Sequence, residues 1–256
     1  MVSVPIERTV ENSDFKFKVN DLNQYELELP FFEHIEELRQ RSFQVLGLFL
    51  IITLLLFVDV KLIVKLLEVP VQDIRFFQIS PGEYFLSTVK IACYSGLLFC
   101  SPVLLSQIIL FILPGLNSNE KKIILPLLIG SIILFGAGLL FSYYVLIPAA
   151  LNFFISYSAD VVEPLWSIDQ YFDFILLIFL TTGLAFQIPV FQIILGLLDV
   201  ISGKQMLEAW KYVVLGSTIV GAILTPSTDP ITQIFLSSAI LLLYLSGAGV
   251  LILLKK

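Results

Sequence analysis

Histidine occurs once in this sequence, cysteine twice, and charged residues fill only 14% of its 256 positions. An intramembrane hydrolase needs a base beside a nucleophile, and a haem protein needs axial ligands within its spans. The lone His34 precedes the first long apolar run and supplies neither. Cys93 and Cys100 stand seven apart in one apolar run, a spacing that puts them on one helix face and rules out a disulfide between them. They read as small apolar packing residues. Charge is nearly absent from the middle of the apolar runs, which argues against a proton relay or a cage for a charged solute. No glycine-rich phosphate loop opens a helix, and no basic aromatic face points to nucleic acid. Catalysis, a metal and a cofactor are therefore not expected.

What the chain has in excess is apolar surface, at 57% of residues. A bilayer core about 30 Å thick takes roughly 20 apolar residues per helix, and six runs qualify or nearly so: residues 43–58, 86–110, 123–147, 172–198, 212–224 and 231–254. The expected fold is an all-α integral membrane protein with six transmembrane helices. Residues 1–29, rich in Glu and Asp and without an apolar signal core, are expected to be a disordered, uncleaved tail ahead of a membrane domain over 30–256.

Orientation follows from the 15 Lys and Arg residues. Arg8, Lys16, Lys18, Arg39, Arg41, Lys121, Lys122, Lys204, Lys211, Lys255 and Lys256 fall on one side, and only Lys61, Lys65, Arg75 and Lys90 on the other. The richer side is the cytoplasm, or the stroma of a plastid, and both termini lie there.

Span five, Tyr212 to Leu224, covers only about 20 Å at 1.5 Å per residue, too short for an ordinary bilayer. Ser217, Gly221 and Thr225 recur on it every four residues. Such a small-residue face serves packing within the chain or docking of a partner span, and spacing alone does not choose. Prolines at 102, 114, 126, 148 and 189 predict bent or ended helices. Between spans one and two, Lys61 to Glu68 reads as a short interfacial helix, followed by Pro70 and a Ser80-Pro81-Gly82 turn.

The remaining polar features gather at span ends. Before span one, Phe31, Phe32, Ile35 and Leu38 form an apolar stripe, with Glu33, His34, Glu36, Glu37 and Arg39 on the wet side and Arg41 one turn beyond Glu37. Glu120 is the only acid in the inner loop between spans two and three. Two carboxylates at one membrane face suit the planar fork of arginine better than lysine. Gln187 sits at mid-depth in span four, and Thr225, Asp229 and Gln233 lie near the junction of spans five and six.

Taken in order, EHIEELRQR, SPGEYF, SPVLLSQ, FILPGL, NEKK, AFQIPV and GAILTPSTDPITQ resemble the TatC family, the multi-spanning subunit of the twin-arginine (Sec-independent) protein translocase, over roughly residues 31–251. The resemblance implies a six-span, glove-like bundle that recognises the twin-arginine signal peptides of folded precursor proteins and moves them across the membrane on the proton gradient. By position it assigns signal-peptide binding to Glu37 and Glu120, with His34, Arg39 and Phe111 beside them. It assigns docking of the small single-span Tat subunits to Thr225 and Gln233, with Gly221 and Asp229 nearby, and it implies self-association in a larger receptor complex. Many bacterial relatives carry glutamate where this chain has Gln187, so a protonatable carboxylate there is no part of its mechanism. That amide, the acidic tail and the wording ILGLLDV and TPSTDP look like the cyanobacterial and plastid branch. A plastid thylakoid membrane is the expected setting, ahead of a cyanobacterial thylakoid or bacterial plasma membrane. The rival function is a secondary transporter of small solutes, which requires internal repeats or broken spans with charged midplane residues; neither is expected here.

Overall fold

The computed structural model describes residues 12–71, 76–112, 121–158, 165–224 and 230–254. Glu120, Thr225 and Asp229 lie outside them, and of His34 only the backbone is described. The chain divides into two units, Met1–Leu46 and Gly47–Lys256.

In the first unit the backbone is helical from Asn12, the start of α1 (Asn12–Val58). The tail expected to be disordered is thus helical over residues 12–29. No glycine or proline interrupts that stretch, and its Lys, Leu, Gln and Glu residues carry little helix penalty. The FFEHIEELRQR segment, likewise without glycine or proline, is continuous with span one.

In the second unit the apolar runs are helical, because hydrocarbon offers no partner for backbone N–H and C=O groups. Among the described residues, five helical stretches are long and apolar enough to cross a membrane: Ile35–Val58, which begins in the first unit, Glu83–Ile112, Lys122–Ser158, Ile168–Leu197 and Pro230–Leu253. The sixth, α9 (Trp210–Leu224), has 15 residues and spans about 22 Å. After span one, α2 (Val60–Glu68) turns Val60, Val64 and Leu67 inward and leaves Lys61 and Lys65 exposed, and burial pushes the Glu68 carboxyl above its usual pKa. A one-turn 3-10 segment (Val69–Val71) follows. Gly82, at φ +89°, makes the turn into α3 (Glu83–Ile112) that a side chain would strain.

Span three is α4 (Lys121–Phe141), a π-helical turn (Ser142–Leu146) and α5 (Ile147–Ser158). Span four is broken into α6 (Ile168–Ala185) and α7 (Ile188–Leu197). The break falls at Pro189, where a bent or ended helix is expected. Pro189 has no N–H to continue the ladder, and Phe186 and Gln187 form a turn instead. α8 (Gly203–Glu208) starts at a Ser202–Gln205 capping box, and α10 (Pro230–Leu253) is span six.

The main core gathers Ile91, Leu146, Ile147, Phe172, Ile175 and Leu176, all at most 1% exposed, with Leu236 of α10. Span one packs closely on span two at Gly96, where a Cβ would overlap the Thr53 side chain and lie 3.2 Å from its Cα. One feature has no counterpart in the all-helical expectation: β1 (Phe76–Phe77) and β2 (Trp166–Ser167) pair in parallel, joining the outer loops after spans one and three.

Candidate functional site

On the inner segment of α1, Glu36 and Glu37 each hold an arginine of the same helix. Arg39 Nη2 lies 2.6 Å from Glu36 Oε1, both well exposed. Arg41 donates through Nε and Nη2 to Glu37 Oε1 at 3.0 and 2.6 Å, and this pair is half-buried. Intrahelical pairs of this kind contribute about 0.3–0.5 kcal/mol, little enough for a competing guanidinium to displace. Glu37 therefore presents an acceptor already shaped to arginine. Phe111, half-buried, stands one residue before the end of α3.

Gln187 is 1% exposed and fully engaged with Ser131 of α4. Ser131 Oγ donates to its Oε1 at 2.7 Å, and its Nε2 donates to the Ser131 carbonyl at 3.1 Å. The amide seals the break in span four against span three, and the break itself carries no charge.

Gly221 is buried against α10, where a Cβ would meet Ser237 Oγ at 2.6 Å. Ser237 donates to the Ser217 carbonyl at 3.1 Å, and Gln233 Nε2 to the Thr218 carbonyl at 3.2 Å. Of the two uses left open for the small-residue face, Ser217 and Gly221 serve packing within the chain, which places Gly221 under α10. Cys93 and Cys100 also part company, one exposed and one buried.

A polar cluster at the outer ends of spans two and four escaped the sequence reading. Glu83 accepts from Ile79 N at 2.6 Å, Ser80 N at 3.1 Å and Ser167 Oγ at 2.6 Å. Lys90 Nζ bridges Asp169 and Asp173, each at 2.9 Å, and Ser87 Oγ donates to Asp169 at 2.8 Å. The signal was present as one helix face at 83, 87 and 90 and an acid pair one turn apart at 169 and 173. Which loop would meet which helix was not.

Residues 33–238 match the family described as Sec-independent protein translocase protein (TatC). The chain belongs to the TatC family. A tatC-like protein of Trieres chinensis is 63% identical, covering 96% of this chain and 93% of that protein. The Sec-independent protein translocase protein TatC of Synechocystis is 53% identical, over 90% of this chain and 91% of its own length. A crystal structure of the twin-arginine translocase receptor TatC in DDM superposes with a TM-score of 0.76 at 32% identity, covering 85% of this chain and 99% of that one. The function of the TatC family, as a subunit of the Sec-independent translocase, fits the geometry: spans that carry amides and hydroxyls where a solute transporter would carry charge.

Proposed function

We propose that this chain is the receptor and core subunit of a twin-arginine translocase, taking the arginine pair of a precursor's signal peptide on Glu37 and Glu120 at the inner face and passing the folded protein across on the proton gradient. The observation that carries the reading is the Arg41–Glu37 pair, a guanidinium seated on one carboxylate oxygen by two donors. An arriving arginine finds the same acceptor and competes with Arg41 for it, while Glu120 takes the second arginine. His34, Arg39 and Phe111 border the signal peptide in this reading. The small single-span Tat subunits dock where α9 ends and α10 begins, at Thr225, Asp229 and Gln233. Several copies associate in one receptor complex, and the setting is a plastid thylakoid membrane.

Photo-crosslinking of a twin-arginine precursor to membranes carrying the full chain tests this. Glu37→Ala and Glu120→Ala should each lower crosslinking at least tenfold, in line with the 1.5–3 kcal/mol of a hydrogen bond to a charged group. Undiminished crosslinking in both variants would sink the assignment.

A further inference from the structure

At the outer ends of spans three and four lies a cleft of about 610 Å³. Half of its lining residues are aromatic: Phe77, Phe154, Tyr157, Trp166, Tyr171 and Phe174. That volume falls within the range of small-molecule sites, about 300–1,000 Å³. Around it, Ile79, Tyr157 and Leu165 are each at least two-thirds exposed, as suits residues bathed in lipid.

A second, polar cavity of about 270 Å³ adjoins it, with Ile79, Ser167 and Gln170 lining both. Glu83, Lys90 and Asp169 border this second space. Its charges are already committed: Lys90 to Asp169 and Asp173, and Glu83 to two backbone amides and Ser167. One cation stands against three carboxylates. Among the described residues, a phosphate headgroup would meet only Lys90, already held by two carboxylates, and an excess of like charge. A hydroxyl-bearing, uncharged head would find carboxylate oxygens and the Gln170 amide as partners.

From this juxtaposition of an apolar slot and a polar cavity with an excess of carboxylate, we propose that the outer ends of spans three and four form a lipid site that takes one acyl chain of an uncharged, hydroxyl-headed lipid. The site is independent of signal-peptide recognition at Glu37 and Glu120.

Native mass spectrometry of the full chain in detergent tests it, with monogalactosyl diacylglycerol and phosphatidylglycerol added at equal concentration. The galactolipid should remain bound at one per chain, at least tenfold over phosphatidylglycerol. Ser158→Trp, which fills the cleft, should cut that adduct at least tenfold, whereas Leu140→Trp, at an exposed position of span three, leaves it unchanged. A second readout covers the case in which Ser158→Trp does not fold. Trp210→Phe leaves Trp166 as the sole tryptophan, and galactolipid with brominated chains should quench it saturably. Unbrominated galactolipid should relieve the quenching and phosphatidylglycerol should not. Equal retention of the two lipids, an undiminished adduct in folded Ser158→Trp, or quenching that never saturates would each overturn the proposal.

Discussion

A glutamate and a glutamine show how differently polar residues are used along this chain. Glu37 spends its carboxylate on Arg41, a weak, partly solvated bond. Removing the competitor should then help the guest: Arg41→Gln is expected to raise twin-arginine peptide crosslinking two- to fivefold, while Glu37→Gln lowers it. If Arg41→Gln weakens binding as much as Glu37→Gln does, the competition is wrong and Arg41 is itself part of the receptor surface. Gln187 is the opposite case, buried and satisfied in both directions by Ser131. Gln187→Leu orphans the Ser131 hydroxyl and should cost about 1–3 kcal/mol, read as a lower unfolding midpoint in detergent. The residue types at these positions were legible from sequence. Their partners were not, because Ser131 and Gln187 sit on different spans and nothing local couples them. Glu37 and Arg41 were paired in advance because an i, i+4 spacing is a local signal.

At the scale of elements, the spans were readable because a run of about 20 apolar residues in lipid has no alternative to the helix. Observed α3 covers Glu83–Ile112 where residues 86–110 were expected, and α10 covers Pro230–Leu253 where 231–254 were. What periodicity missed was the interruption of helices already found. The π-turn at Ser142–Leu146 has no composition of its own, whereas the break at Phe186–Gln187 was signalled by Pro189 alone. The two-residue strands are too short to show an alternating pattern. Element packing makes sharp predictions at the glycines. Gly96→Leu should release span one from span two, because Thr53 backbone stands where the side chain must go; the disulfide-crosslinking yield of a cysteine pair across that contact should fall severalfold. Span five is the other test. Inserting about one turn of leucines into α9 should impair export of a twin-arginine precursor if its 15-residue length thins the bilayer or fits a partner. Normal export would make the short span incidental.

In the second unit, the outer ends of spans two and four are tied together by charge, as the outer loops are by strands. Lys90 holds two carboxylates, so losing one acid should matter less than losing the lysine. Asp173→Asn should shift the unfolding midpoint little, and Lys90→Met should shift it several times as far, since it leaves Asp169 and Asp173 facing each other without a cation. Equal effects would show that Lys90 is bound through one acid alone. The parallel pair of β1 and β2 has a kinetic meaning as well. Phe76 and Trp166 are ninety residues apart, with spans two and three between them in the chain. Their pairing cannot precede insertion of both spans, and closing so long a loop carries an entropic cost that only an assembled bundle offsets. The four backbone positions that pair there thus record the order of synthesis: they cannot meet until Trp166 has been made, and a nascent chain arrested before it lacks the strand that holds Phe76 and Phe77.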